Sequence, residues 1–324
     1  LGTAKVIDSG AVPMTESRYP VVHTLGAVVH TVTGLGLRHV MLVMVVVFVC
    51  SFFVFVPLVV RQLTGSAWTS YVGLFSGLLL LTVNRVGSHN YVFPTSQAIM
   101  LAPAFLLVFF LLFHQRTADY SALFLVFAPA FVLLHPQQAA NLLVFFGVVV
   151  AGQVGYDFWR GVNFEKWRRW LLPEVGYFGA AFAVWVWTLE AFWDSVQRVA
   201  AIPFRANTVG GKAATRSGSV DQVGGSVLGI FLKLFSVQFL YVLLTGLLLV
   251  LVVYRLRNRT DRFRGARGPN GRLLPLYVFG GMGAVLLLFL VFLVGGISDQ
   301  YFRHLGMMMV FGTIFGAIAL AGVA

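Results

Sequence analysis

Long apolar runs are the feature that most constrains this fold. The run from Val40 to Val60 carries no charged residue, and about 20 apolar residues in helical form suffice to cross the hydrocarbon core of a bilayer. Lipid offers the backbone no hydrogen-bond partners, so such runs are helical. Eight further runs lie at about 67–82, 97–113, 120–134, 139–156, 173–190, 227–254, 273–297 and 305–323. The sequence therefore predicts an all-α, polytopic integral membrane protein with about nine transmembrane helices.

Composition agrees with this fold class. Apolar residues make up 59% of the chain and charged residues 10%, which excludes ordinary water-soluble packing. A formal charge of +12 would suggest nucleic acid in a soluble protein, but here most basic residues fall between apolar runs, where membrane topology accounts for them. We therefore expect no nucleic-acid partner. Cys50 is the only cysteine, so neither an internal disulfide nor a cysteine metal cluster can form.

The segment Arg255–Arg272 predicts the orientation. It holds seven arginines and one acid between two apolar runs, and such loops accumulate on the cytoplasmic side of a membrane. Alternation from this loop places 13 basic residues inside and 9 outside over a greater length. We predict a multi-pass protein of the cell membrane with residues 1–37 as an extracytoplasmic loop that includes an amphipathic helix, and residues 38–324 as the transmembrane domain. The outer face would also present 83–96, the HPQQ turn at 135–138, 191–226 and 298–304.

Ionisable residues are scarce within the runs. Lys233 lies inside one and Glu190 near the end of another, whereas ion-coupled transporters and channels need charged or coordinating groups near the midplane. The polar residues gather instead at the predicted outer ends of the runs. This distribution favours a site at the outer membrane surface, where a lipid would present a polar group.

The amino-terminal segment resembles a known family. Its pattern is an acid, a glycine, Tyr-Pro-x-x-His and a small-residue run that ends in Thr-Gly, and it is carried by Ile7, Asp8, Gly10, Tyr19, Pro20, His23, Thr33 and Gly34. This pattern is similar to the first extracytoplasmic loop of GT-C superfamily glycosyltransferases, especially archaeal and bacterial mannosyltransferase and oligosaccharyltransferase-like members. The His-Pro corner at His135 and the Tyr-Phe-Arg sequence that ends at Arg303 resemble later outer-face motifs of the same superfamily.

The resemblance implies a GT-C-like fold and a glycosyltransferase. Such an enzyme transfers a sugar from a polyprenyl-phosphate donor to an acceptor glycan, lipid or protein on the extracytoplasmic face. The reaction needs a carboxylate as base or metal ligand and cationic or imidazole groups at the departing phosphate. We therefore expect a divalent metal, Mg or Mn, and catalytic roles for Asp8 and Glu16. The expected substrate- and phosphate-binding residues are Arg18, Tyr19, His23, Arg85, His89, His135 and Arg303.

One departure bears on the catalytic acids. In that superfamily the acid that activates the acceptor follows the first membrane helix, and this sequence begins at Leu1 rather than at a methionine. We expect the chain to be a piece of a longer protein that lacks this first helix. Asp8 and Glu16 would then be secondary acids or ordinary loop residues.

Several simpler interpretations stay open. The arginines at positions 18, 85 and 303 are also typical interfacial anchors. His23 and His30 would share a helical face as a hydrogen-bonded pair or as joint ligands, and His135 before Pro136 would cap a turn. The alternative functions are a transporter or flippase of a lipid-linked or small polar substrate, and a non-catalytic membrane subunit.

Overall fold

The computed structural model describes residues 20–83, 94–159, 172–188, 193, 194, 197, 226–258, 274–294 and 301–323. Within these ranges the chain is almost entirely helical and contains no strand, as the sequence predicts. The helices are α1 Pro20–Thr33, α2 Leu37–Thr64, α3 Ala67–Val83, α4 Pro94–Gln115, α5 Ala118–Leu134, α6 Pro136–Trp159, α7 Leu172–Thr188, α8 Val227–Asn258, α9 Leu274–Val278, α10 Ala284–Val294 and α11 Tyr301–Val323. A π-helix, Phe279–Gly283, joins α9 to α10.

Each of the nine predicted apolar runs coincides with helical structure. The run at 273–297 corresponds to three consecutive elements, which are α9, the π-helix and α10. Among the described residues, four helical stretches are long and apolar enough to cross a membrane by length and composition: Leu37–Thr64, Pro94–Gln115, Pro136–Trp159 and His304–Gly322. The chain is thus an all-α membrane protein. The number of nine crossings stays a prediction.

Short turns make consecutive helices antiparallel. Gly34 and Gly65 adopt positive φ values of 68° and 69° and end α1 and α2, since glycine enters the left-handed region without steric cost. Arg116 takes a φ of 52° at the end of α4. We call the end of the bundle at Thr95, His135 and His304 the histidine end, and the opposite end, at Arg61 and Arg116, the arginine end.

Phenylalanine rings fill the middle of the bundle. Phe105 of α4 has ring centroids within 6 Å on three neighbouring helices: Phe124, Phe127 and Phe131 at 5.0, 5.9 and 5.4 Å, and Phe146 and Phe178 each at 5.2 Å. Phe109 stacks on Phe146 at 4.0 Å with an interplanar angle of 15°. Contacts from Phe145 to Phe311 and from Phe110 to Tyr277, each at 4.9 Å, extend the packing to α11 and α9. The described interior is therefore packed with rings between its two ends.

Large apolar side chains also cover the outside of the bundle. Residues near the middle of six helices are each more than half exposed: Val47, Phe75, Val126, Val184, Val250 and Leu287. A water-soluble protein rarely leaves so large an apolar surface uncovered, whereas lipid chains solvate it without cost. The exposed surface thus agrees with the apolar runs in indicating a bilayer environment.

Small residues allow several helices to approach closely. A Cβ atom at Gly73 of α3 would lie 3.1 Å from Val60 of α2, and the neighbouring Ser70 hydroxyl donates a 2.9 Å hydrogen bond to the Pro57 carbonyl. A Cβ atom at Gly316 of α11 would lie 2.5 Å from the Tyr241 ring of α8. Such small-residue contacts are a general means of helix association in membranes, because they allow extensive van der Waals contact.

A substitution at Gly316 tests this packing. We expect Gly316→Ala to force the Tyr241 ring away and to lengthen the 2.9 Å bond from the Tyr241 hydroxyl to Ser76 Oγ, at a cost of about 1–3 kcal/mol typical of overpacking. Gly312→Ala on the same helix is the control, because its Cβ would meet nothing within 4 Å. Thermal unfolding in detergent gives the unfolding midpoint of each variant. Equal midpoints for the two variants would contradict the assigned α8–α11 contact.

Candidate functional site

His135 forms the corner between α5 and α6. Its backbone is extended, with φ −162° and ψ 100°, as the following Pro136 requires. Its N–H donates to the Phe131 carbonyl at 3.0 Å, and its own carbonyl accepts from the N–H groups of Gln138 and Ala139, both at 3.0 Å. His135 therefore ends one helix and begins the next. The capping role considered from the sequence is present.

The HPQQ sequence is not the surface turn that the sequence analysis expects. Only His135 lies between helices, because Pro136, Gln137 and Gln138 already form the first turn of α6. His135, Pro136 and Gln138 are buried. A single corner residue replaces the predicted four-residue turn at 135–138, since the Pro136 ring suits the first turn of a helix and α6 starts immediately. The side of the membrane on which this corner lies stays a prediction.

The two ring nitrogens of His135 have different partners. The backbone N–H of Gln138 donates to Nδ1 at 3.3 Å, so Nδ1 acts as an acceptor and carries no proton. Nε2 then carries the proton and donates to Thr95 Oγ1 of α4 at 2.8 Å. This arrangement requires the neutral imidazole.

His304 of α11 takes the opposite tautomer. Its Nδ1–H donates to Asn141 Oδ1 at 2.7 Å, and its Nε2 accepts from the Gln137 side-chain amide at 3.1 Å. Asn141 in turn donates to Gln138 Oε1 at 3.0 Å. Residues that are more than 160 positions apart in the sequence are thereby joined at one end of the bundle.

These six residues form one hydrogen-bonded series, which we call the polar chain: Gln137, His304, Asn141, Gln138, His135 and Thr95. Every donor points the same way along it, from the Gln137 amide to the Thr95 hydroxyl. The side chains of His135, Gln138 and Asn141 have no exposed surface, and His304 is 2% exposed. Aligned hydrogen bonds in a medium of low dielectric polarise and strengthen one another. The polar chain is thus a neutral, buried tie between α4, the α5–α6 corner and α11.

The polar chain lies beside the segments that carry other predicted site residues. Thr95 is the second residue of α4, and Pro94 separates it from the segment 84–93, which contains Arg85 and His89. Arg303 is in the first turn of α11, one position before His304. The polar chain thus contains the predicted residue His135 and adjoins Arg303 in sequence, whereas Arg85 and His89 lie outside the described residues.

The remaining predicted residues have different outcomes. Asp8, Glu16, Arg18, Tyr19, Arg85 and His89 lie outside the described residues. His23 is half-buried on α1, which packs against α2 and α5, and burial lowers the pKa of its imidazole. His30 donates from Nδ1 to the Leu35 carbonyl at 2.5 Å, so it stabilises the α1–α2 turn.

The described residues do not fit a metal site. No group of three His, Cys, Asp or Glu side chains within the described ranges is arranged to hold an ion. At the histidine end, His135 and His304 direct their ring nitrogens at amide and hydroxyl groups of the protein. The expected Mg or Mn would thus depend on acids such as Asp8 and Glu16, which the structure does not describe.

A second polar layer occupies the arginine end. The Ser121 hydroxyl of α5 donates to Glu174 Oε1 of α7 at 2.5 Å, and Gln153 donates to Asp157 Oδ1 at 2.9 Å. Arg116 lies in the nearby α4–α5 turn, where burial lowers the pKa of its guanidinium and the charge of Asp157 partly offsets that effect. Glu174 is only 5% exposed. Asp157 and Glu174 thus lie at the end of the bundle opposite to the polar chain.

Sequence reasoning missed Glu174, Gln138, Asn141 and His304. A signal was present for two of them, because Gln138 and Asn141 are three positions apart in an otherwise apolar run and so share one helical face. Polar residues on one face of a membrane helix favour an interhelical contact. For Glu174 and His304 the partner helices are distant in sequence, and no local pattern identifies them.

Comparisons with known proteins do not identify the chain. No family model, no curated protein and no solved structure matches it.

The polar chain can be tested by a double-mutant cycle. We expect Asn141→Leu and His304→Leu each to destabilise the protein by about 1–3 kcal/mol, because each leaves a buried partner unsatisfied. The double variant should lose less than the sum of the two, with a coupling energy of about 0.5–2 kcal/mol. Unfolding in mixed micelles gives the change in the free energy of unfolding for the two single variants and for the double variant. The control is Thr313→Val on α11, because the Thr313 hydroxyl donates only to the Met309 carbonyl of its own helix among the bonds described. Strictly additive effects of the substitutions at 141 and 304 would contradict the hydrogen bond between Asn141 and His304.

Proposed function

We propose that this chain is a membrane glycosyltransferase that transfers a sugar from a polyprenyl-phosphate donor on the extracytoplasmic face. The observation that supports the proposal is the convergence of Thr95, His135 and His304 in one hydrogen-bonded series. The resemblance to GT-C enzymes points independently to the His-Pro corner and to Arg303, and Arg85 and His89 are phosphate-binding candidates on the same predicted face. His135 is one of the three joined residues and Arg303 directly precedes His304, whereas His89 and Arg85 lie six and ten positions before Thr95.

In this proposal His135 positions the site and does not bind the phosphate. Both of its ring nitrogens are engaged by the protein, and the side chain has no exposed surface. A phosphate needs cationic donors, and the arginine side chains at 85 and 303 supply them. The polar chain would hold the backbone next to these arginines at a fixed spacing, as preorganised electrostatic stabilisation requires.

Among the described acids, only Asp194 follows a helix end at the histidine end, the end of α7. Asp119, Asp157 and Glu174 lie in helical turns at the arginine end, about one hydrocarbon thickness from the polar chain. We propose Asp8 or Glu16 as base or as ligand of Mg or Mn. This requirement is the same as for any glycosyl transfer to a hydroxyl or amide acceptor.

A non-catalytic membrane subunit is the second candidate. It is favoured by the polar chain itself, because its described hydrogen bonds join three parts of the bundle and so give it a structural role. A transporter or flippase receives less support. The described interior is packed with phenylalanine rings from α4 to α11, and alternating access needs a polar site near the midplane.

Sugar transfer by the full-length protein tests the proposal. The protein is reconstituted in liposomes with a radiolabelled polyprenyl-phosphate sugar, and transfer to lipid, glycan and peptide acceptors is measured. We expect Arg303→Gln and Arg85→Gln each to lower the rate by about 10²–10³-fold, the usual effect of removing a group that stabilises transition-state charge. Arg205→Gln is the control, because this arginine is predicted on the same face without a family motif, and its rate should stay within about twofold of wild type.

The same measurement separates the two candidates. Transfer that survives both Arg303→Gln and Arg85→Gln would contradict the assigned phosphate site. If the wild-type protein transfers no sugar from any donor, but raises the transfer rate of a copurifying enzyme, the chain is a subunit and the enzymatic proposal is wrong.

A further inference from the structure

The helix formed by residues 274–294 contains one wide turn. Its first part, α9, and its last part, α10, are ordinary α-helix, and the π-helix Phe279–Gly283 lies between them. Val278 and Ala284, on either side, have α-helical backbone torsions, with φ and ψ of −65° and −48° at Val278 and of −67° and −43° at Ala284. The chain therefore continues as one helix that holds one more residue in this turn than an α-helix does.

The hydrogen bonds at the end of the wide turn follow two patterns at once. The Ala284 N–H donates both to the Gly281 carbonyl, three residues back, and to the Phe279 carbonyl, five residues back. A regular α-helix would use the Gly280 carbonyl, four residues back. Because this N–H lies between a tighter and a wider pattern, the turn can return to α-helical bonding while the amide keeps a partner, as a lipid environment requires.

Two glycines of the π-helix allow it to lie close to its neighbours. An added Cβ atom at Gly280 would lie 3.2 Å from Val149 of α6, and one at Gly281 would lie 3.0 Å from Phe311 of α11. At Gly283 an added Cβ atom would meet nothing within 4 Å. The observed arrangement thus requires glycine at 280 and 281 because of packing, whereas position 283 accepts a larger residue.

The two parts of the helix are anchored to different extents. Tyr277 of α9 is fully buried, and its ring centroid lies 4.9 Å from that of Phe110 and 6.2 Å from that of Phe113 on α4. Among the α10 residues whose side chains the structure describes, Val285 alone is buried, and Leu287 is 63% exposed. Ring packing therefore fixes α9, and α10 is held by a smaller part of its surface.

Every residue of α10 is apolar. Its sequence, AVLLLFLVFLV, has no polar position on any side of the helix, whereas a polar face would restrict a membrane helix to orientations that keep this face out of lipid. Rotation of α10 about its axis therefore exposes no polar group to lipid and buries none in the bundle. The cost of such a rotation is limited to the fit of apolar side chains.

We propose that the π-helix is a joint at which α10 turns relative to α9. When the wide turn closes to α-helical bonding, the extra residue passes into α10, which rotates by about 100° and shifts by about 1.5 Å along its axis. Gly281 then moves away from Phe311, and a different apolar face of α10 meets α6 and α11, the helices on which it packs. The two arrangements share the same anchored α9. This conformational device does not depend on glycosyl transfer.

The two arrangements differ in a measurable distance. Spin labels are attached at Leu287→Cys of α10 and at one of two exposed reference positions, Val126→Cys of α5 or Val47→Cys of α2, in a Cys50→Ala background. Double electron–electron resonance in nanodiscs then gives the distances between the labels. The rotation moves a side-chain end that is about 5–6 Å from the helix axis by roughly 8 Å. We expect two distances in the otherwise wild-type chain, the second from about one tenth of the molecules.

Three variants locate the movement at the joint. Deletion of Gly283 removes the extra residue, so that a regular helix gives α9 and α10 their observed faces and only the major distance should remain. Gly281→Ala places a Cβ atom 3.0 Å from Phe311 in the observed arrangement, so we expect the proportion of the second distance to rise about fivefold. Gly283→Ala is the matched control, because its Cβ position is open, and it should leave the proportions unchanged.

Three results would overturn the proposal. One is a single distance from both reference positions in the otherwise wild-type chain. Another is a second distance that persists after deletion of Gly283, which would place the movement elsewhere. The third is an equal effect of Gly281→Ala and Gly283→Ala on the proportions. If thermal unfolding in detergent shows that the deletion variant does not fold, the comparison of the two alanine variants decides.

Discussion

The packing of phenylalanine rings around Phe105 and Phe109 is the interaction on which the rest of the bundle depends. Within a bilayer, lipid chains are as apolar as the side chains that they replace, so helix association receives little hydrophobic driving force and depends on close contact and hydrogen bonds. Phe105 meets rings of α5, α6 and α7, and Phe109 stacks on Phe146 at 4.0 Å. Offset and edge-to-face ring pairs add to that contact. With these four helices fixed, both polar ends acquire defined partners.

The polar chain adds what ring packing lacks, which is a fixed register along the helix axes. Apolar surfaces can slide past one another with small changes in energy, but the 2.8 Å bond from His135 to Thr95 and the 2.7 Å bond from His304 to Asn141 are lost by a shift of one turn. Each unsatisfied group would then be costly in a medium without water. The directionality of the donors also fixes both imidazoles as neutral. Ring packing thus holds the helices together, and the polar chain sets their relative height.

The sequence predicts the helices well and the contacts between them poorly, for a physical reason. Apolar length is a local property, so all nine runs coincide with helices, although Leu37–Thr64 continues past Val60 to the left-handed Gly65. The sequence identifies the His-Pro corner as important but does not predict that it is buried. Burial and bonding at His135 are decided by Thr95, 40 positions away, and His304 finds its partner 163 positions away. A single sequence contains no record of such pairings.

The neutrality of the polar chain bears on how any anionic substrate would be held. A protonated His135 would present a donor at Nδ1 to the Gln138 N–H, and a protonated His304 would present one at Nε2 to the Gln137 amide, so in each case a present hydrogen bond would become a donor–donor contact. In the proposed function positive charge at the histidine end would therefore come from arginine, which keeps its charge in any environment. In the proposed function Arg85 and Arg303 are the arginines that supply this charge. Binding and positioning would then be carried out by different residues, because the polar chain positions the segment that leads to Arg303 without itself binding the phosphate.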